Sequence, residues 1–490
     1  MRAGRWVAVA AATAWIAPLV LSATTSAAAT TSAAATANAA ATANAAATTN
    51  AAVPAGTGSD AVVTSVSCAS AGNCAAGGRY IDSSLTGHAF VVTEKNGRWG
   101  TAIEVPGLAA LKPSYSNVSA VSCAPGAGCA AGGYYRGAGT SSHYHAFVTT
   151  EQNGRWSRLT TVFTAGPKST TVTQVGYLFC RVAGNCTAAG GRPPFMVSEA
   201  QGKWRKAVQL PVQGRSGSVV LSCVSAGGCT IALGTLVARE QNGHLSKSVR
   251  VPGVQALGRY PAITSVSCTA AVNCAVGGTY QTRSGAIEIF TASEQNGRWG
   301  RAAELPGFTK LNQEGDGELA AVSCVSAGNC VAGGSYAGQA DFQGGAWEAF
   351  LATERNGRWG KAADVPGFPP PSSGICQPDS NACVAGQVQS VSCAIGGACA
   401  ASGWYDTTKI DGEAAFVISF KDGRWARAIQ VPGLEALDTA DYSQADSVSC
   451  ARGGACAAGG SYSTTEPLIG PAFVTSEKNG TWTQAQTVRF

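Results

Sequence analysis

The chain has 490 residues, and its 34 Lys and Arg against 28 Asp and Glu leave a formal charge of +6. So near-neutral a chain, with no Lys/Arg-dense stretch, argues against a nucleic-acid partner. Beyond the N-terminus, no segment approaches the roughly 18–20 continuous apolar residues that a membrane helix needs.

Residues 1–29 read as a signal peptide. Arg2 and Arg5 make a cationic start, Val7 to Ala23 an apolar stretch, and Ala27 to Ala29 an A-x-A cleavage site. Thr13 and Pro18 interrupt the apolar run, which favours cleavage over the alternative, a retained anchor. Cleavage removes two cations and leaves no stable membrane span. Residues 30–60 are Ala, Thr, Ser and Asn almost throughout, with no aromatic, so a disordered, flexible linker is expected.

Residues 61–490 hold all 18 cysteines. Sixteen of them form pairs six positions apart: Cys68 with Cys74, Cys123 with Cys129, Cys180 with Cys186, Cys223 with Cys229, Cys268 with Cys274, Cys324 with Cys330, Cys393 with Cys399, and Cys450 with Cys456. Each pair opens a unit of the form VSC-x5-C-x-AGG-x-Y, then AF-x-x-x-E-x-NG-R-W, then VPG. Successive units lie 55 to 57 residues apart, with two shorter spacings of 43 and 45 and one longer of 69. A period of this length signals a solenoid or a propeller.

Within the unit, the Cys pair brackets a first hairpin: Ser65-Val66-Ser67 enters, Ala71-Gly72-Asn73 turns, and Ala75 to Gly78 leaves. A second hairpin carries Asn-Gly, whose two residues tolerate the positive φ of a type I′ turn. It recurs at Asn96-Gly97, Asn153-Gly154, Asn242-Gly243, Asn296-Gly297, Asn356-Gly357 and Asn479-Gly480. Two hairpins make four strands, and no helical period intervenes. The expected fold is all-β: a β-propeller of eight four-stranded blades. Gly pairs such as Gly77-Gly78 mark a close backbone approach near the axis. Pro106 and its equivalents place the VPG strand on the outer edge. Trp99, Trp156, Trp204, Trp299, Trp359, Trp425 and Trp482 are expected to wedge between blades, with Leu245 in the fourth unit.

An insert with Cys376 and Cys383 lies between Gly367 and Cys393, and 372–388 looks like a partial ninth unit. Seven or nine blades are therefore the alternative counts. Outside the cytosol, Cys pairs oxidise, so all nine pairs, Cys376 and Cys383 included, are expected to be disulfides.

These residues resemble the secreted Cys-pair repeat proteins of high-G+C Gram-positive bacteria. The likeness rests on Ser67-Cys68 with Cys74 and Gly77-Gly78, on Glu94 to Trp99, and on their counterparts as far as Phe490. It implies a secreted β-propeller and no particular activity, because propellers serve many functions. The third and fourth units depart from the pattern, with Pro193-Pro194 and Leu233-Gly234 in place of Gly-Gly-x-Tyr.

Catalytic motifs are absent: there is no G-x-S-x-G, H-E-x-x-H or P-loop. Zinc sites favour shorter Cys spacings, and His143 with His145 lacks a sequence-adjacent acidic ligand, so no metal or cofactor is expected. The recurrent carboxylates (Glu94, Glu151, Glu199, Glu240, Glu294, Glu354 and Glu477, with Phe420 in the seventh unit) are read as partners of the basic residue across the turn. Those residues, Arg98, Arg155, Lys203, Arg298, Arg358 and Arg424, would form a cationic ring on a closed propeller. Variable loops offer a second surface: Ile81–His88, Arg136–His145, Gln281–Glu288, Ala337–Trp347 and Asp406–Glu413. There Tyr144, Asp341 and Trp347 suit glycan or peptide contact.

The function expected is a non-enzymatic binding scaffold, monomeric and secreted or wall-associated, whose ligand is a glycan, wall polymer or protein. The alternative is an extracellular carbohydrate-active hydrolase or oxidase acting at the channel mouth. Clustering of Asp341, Glu348, Asp406 and Asp411 would favour it.

Overall fold

The computed structural model describes residues 60–490 except 125–127, 138–142, 165–172, 183, 192, 211–218, 226–227, 242–243, 339–346, 369–384, 395–397, 408–411, 422, 452–453, 465–469 and 479. Asp60 already belongs to a strand, whereas the signal peptide, the expected linker up to Ser59, Cys376, Cys383 and most of 372–388 fall outside the described residues. The last of these, from Gly386, belongs to the first strand of blade seven (Gly386–Cys393).

The described strands group into eight consecutive antiparallel units. Blade one is representative. Its first strand (Asp60–Ser70) pairs with the second (Asn73–Ile81), which pairs with the third (Gly87–Lys95). Two two-residue strands, Arg98–Trp99 and Ile103–Glu104, then share the outer edge of the third. The outermost strand expected at VPG is thus broken in two, and Pro106 lies just past it. Pro106 has no amide to give a ladder, but its carbonyl accepts the Leu159 amide of blade two at 2.8 Å. Gly107 then takes φ 95° and turns the chain into a short helix (Leu108–Leu111), whose Leu108 is fully buried beneath the next blade.

First strands line the axis, each packed against the first strand of both neighbours. The ring closes because blade eight packs on blade one: Ser447 and Ser449 Oγ accept the Val66 and Cys68 amides at 3.0 and 3.2 Å. The same clasp recurs around the ring. Ser65 and Ser67 serve Val121 and Cys123, and Ser390 and Ser392 serve Val448 and Cys450. Except in blade three, where Phe179 takes its place, the Ser before the first Cys of each unit is an inter-blade linker.

The Gly pair lies on the second strand. A Cβ on Gly78 would sit 1.8 Å from the Val62 carbonyl, beside a bulge between Val63 and Ser65, and one on Gly77 would strike Val118 of blade two. Gly133, Gly278, Gly334, Gly403 and Gly460 repeat the first contact.

The cysteines pair as the spacing predicts wherever the chain is described. Cys68 is bonded to Cys74, Cys123 to Cys129, Cys180 to Cys186, and Cys223 to Cys229. Cys268 is bonded to Cys274, Cys324 to Cys330, Cys393 to Cys399, and Cys450 to Cys456. In every case the two cysteines face each other across the first and second strands of one blade, as Cys123 and Cys129 do. These bridges are therefore part of the framework and take no place in a ligand or metal site. Closing so short a loop stabilises each hairpin by about 2 kcal/mol.

Candidate functional site

The hairpins give the propeller two unlike faces. The Cys turn and the Asn-Gly turn lie at one end of each blade, where the Gly97 amide donates to the Gly72 carbonyl at 2.9 Å. Asn96 and Gly97 take φ 51° and 77°, as the sequence requires of that turn. The described ends of the variable loops and the inter-blade helices lie at the other end.

On the hairpin face, Arg98, Arg155, Arg298, Arg358 and Arg424 are all exposed on the short fourth strands. The recurrent Glu residues do not pair with them. Glu94 stands opposite Trp99 in the ladder, while Lys95 stands opposite Arg98. Alternation therefore sends Glu and Trp toward the preceding blade and the two cations toward the next. Ser476 of blade eight donates to Glu94 at 2.8 Å and accepts the Trp99 indole at 3.3 Å. Thr150 does the same for Glu199 and Trp204, and Ser419 for Glu477 and Trp482. The one described pairing of these carboxylates with a cation runs between blades, from Arg239 to Glu294. In unit seven Phe420 packs edge-on against Trp425 instead. Burial raises the pKa of Glu94, Glu199, Glu354 and Glu477, which favours their neutral forms. Between blades five and six, a cleft of about 560 Å³ opens on this rim, lined among others by Gln295, Arg298, Trp299, Arg301, Glu304 and Trp359.

At the opposite end, polar side chains from several blades meet near the axis. Gln387 of blade seven donates to Glu318 of blade six at 2.9 Å. Gln389 donates to Gln444 of blade eight at 3.3 Å, and Gln444 donates to Glu413 at 2.7 Å. Burial pushes Glu413 up to about 7. Next comes Asp446, whose Oδ2 is shielded and has no hydrogen-bond partner among the described residues. Burial pushes this carboxyl up to about 7, against the pull of Arg79 from blade one. Arg79 also acts on Tyr134 of blade two, whose pKa burial raises. The Tyr134 ring lies 5.9 Å from Tyr115 and 5.7 Å from Tyr144.

This arc spans blades six, seven, eight, one and two. Blade five puts Ala262, Thr264 and Thr279 at the matching positions, and blade three has Gly176 at the bulge. Tyr144, singled out in the sequence, belongs to the arc. Arg79, Tyr115, Tyr134 and Asp446 were missed. Their signal was departure from the repeat at otherwise small or uncharged positions, such as Tyr134 after Gly132-Gly133.

The other expected residues scatter. Trp347 is half-buried at the start of a third strand (Trp347–Arg355). Glu348 accepts from Tyr336 at 2.6 Å. Asp406 caps the Ala385 amide at 3.1 Å. Asp341 and Asp411 lie outside the described residues. His145 stacks on Tyr135 at 4.7 Å and meets Thr164, and His88 lies between Asp82 and Glu104. Among the described residues no group of three His, Cys, Asp or Glu side chains is placed to hold a metal, and no helix is long and apolar enough to cross a membrane.

Comparison with family models finds no match, and comparison with curated proteins finds none either. Solved structures do resemble the chain in outline. YCF48 bound to a D1 peptide shares 12% identity at a TM-score of 0.35, covering 63% of this chain and 84% of that one. The fucose-specific lectin from Aleuria aurantia shares 10% at 0.32, covering 76% and 96%. A PL25 ulvan lyase shares 8% at 0.37, covering 73% and 80%. Likeness this distant carries no argument about this chain.

Proposed function

We propose that the protein is a non-enzymatic extracellular binding scaffold that recognises a glycan or peptide at the loop-face mouth of its channel. The observation that supports this is the run of Asp446, Arg79 and the Tyr134, Tyr115 and Tyr144 rings across blades eight, one and two, with an Asp446 carboxyl oxygen that has no hydrogen-bond partner among the described residues. A shielded polar atom of this kind is costly unless a ligand or water satisfies it. A sugar offers hydroxyl donors for Asp446, acceptors for Arg79 and a ring face for the tyrosines. The eight described disulfides suit an oxidising, extracellular setting. The test is a screen of neutral glycans and wall-polymer fragments against the whole protein, with product analysis in parallel. The expected result is binding without turnover that Arg79→Ala weakens by about tenfold or more, as loss of a charged hydrogen bond implies. Product release, or binding indifferent to Arg79→Ala and Tyr134→Phe, contradicts the reading.

One observation favours a second reading, a glycan hydrolase. Tyr336 lies 2.6 Å from both Glu348 and Asp364. One phenol proton cannot serve two carboxylates at once, and a proton on Glu348, whose pKa burial raises, would satisfy both contacts. A neutral acid beside a carboxylate is the pairing that general acid–base hydrolysis uses. Turnover abolished by Glu348→Gln would support it.

A further inference from the structure

The two faces differ in charge as well as in shape. Nearly every second hairpin of the repeat projects cations on its outward side, while the carboxylates of the same hairpins turn inward between blades. The exposed Arg98, Arg155, Arg298, Arg358 and Arg424 make no ion pair among the described residues. Burial also disfavours the charged form of several of the intervening Glu residues, which leaves the rim field less offset than the sequence suggests. Exposed acidic residues such as Glu318 and Asp364 belong to the opposite half of the blades.

A discrete anion would need convergent donors in one pocket. These cations are spread round a rim, on blades one, two, five, six and seven, which suits an extended ligand carrying many charges. The cleft between blades five and six adds a chemical preference. Its lining puts Arg298, Arg301 and Gln295 beside the indoles of Trp299 and Trp359, with Glu304 at its edge and the buried Glu354 behind, whose charged form burial disfavours. Guanidinium forks match carboxylates, and indole faces suit sugar rings. A membrane surface fits less well, because no Trp, Phe or Leu described on this rim is fully exposed for insertion. We infer that the hairpin face docks an anionic polysaccharide bearing sugar carboxylates, seated in the cleft between blades five and six and held along the arginine rim. This surface is separate from the loop-face mouth and stands or falls independently of it.

The test uses the full chain with polygalacturonate, with dextran as the uncharged polymer, long-chain polyphosphate as the sugar-free polyanion and phosphatidylglycerol vesicles as the membrane. The wild type should bind polygalacturonate and not dextran. The affinity should fall about tenfold or more between about 50 and about 200 mM NaCl, as release of several counterions implies. The quintuple variant Arg98→Glu, Arg155→Glu, Arg298→Glu, Arg358→Glu, Arg424→Glu should lose binding. A control set on the loop side, Arg136→Glu, Arg283→Glu, Lys310→Glu, should keep it. All substituted side chains are exposed, so the folded state should survive, as circular dichroism would check. The pair Arg298→Glu, Arg301→Glu should weaken binding more than Arg98→Glu, Arg155→Glu. Equal losses from the two pairs, equal loss in the control set, tighter binding to polyphosphate or vesicles, or no binding at low salt would each overturn the inference.

Discussion

The seam between blades eight and one and the seam between blades three and four join equivalent strands by different means. At the first, two serine hydroxyls clasp the Val66 and Cys68 amides, and Ser476 bonds Glu94 and Trp99. At the second, Phe179 takes the place of the clasping serine. It lies buried in an apolar cluster with Met196 and Leu210 of its own blade and Leu221 of blade four. The chain itself tethers blades three and four, and there non-directional packing stands in for the serine clasp that the other tethered seams keep. Blades eight and one have no peptide connection between them. Directional hydrogen bonds there fix the register as well as the contact.

Three experiments would break or sharpen this contrast. The largest effect should come from Phe179→Ala, which empties an apolar seam and should cost about 3–5 kcal/mol in denaturant unfolding. A loss under about 1 kcal/mol would mean that Phe179 holds little together. Ser449→Ala should cost about 1–3 kcal/mol by stranding the buried Cys68 amide. Its effect should exceed that of Ser122→Ala, which clasps Cys180 across a seam the chain already spans. Equal costs at both sites would remove the distinction between closing and tethered seams.

The smallest effect concerns pH. Glu94, Glu199, Glu354 and Glu477 have raised pKa values, and Asp446 and Glu413 reach about 7. The folded state therefore holds protons to higher pH than the unfolded chain does. That contribution is present in full below the ordinary carboxylate range and fades as pH rises toward about 7. Asp82 works in the opposite sense: hydrogen bonds from His88, Thr86 and Ser84 hold its pKa down at about 2, so its contribution fades only in stronger acid. The melting temperature should thus fall by a few degrees between about pH 5 and about pH 8. A rise over that interval would show that the inward carboxylates are ionised and well paired.

Much of the framework could be read from residues that recur. Cysteines six apart, Asn-Gly turns and Gly pairs each answer a local steric or covalent demand, and each is where the sequence placed it. The Glu positions were equally visible, yet their partners were misread. Adjacency in sequence suggested Arg98, whereas strand alternation turns Glu94 to the other side of the sheet, toward Ser476 of the blade at the far end of the chain. The loop-face arc was least legible. Arg79, Tyr134 and Asp446 are far apart in sequence, and only ring closure brings the last blade beside the first.

Every described disulfide spans six positions within one hairpin, and none of them ties one blade to another. Each bridge can form as soon as its own turn emerges, because so short a loop closes at little entropic cost. Oxidation then makes no demand on the order in which units arrive. Units can be stapled one at a time and the ring joined afterwards, with sealing left to reversible bonds.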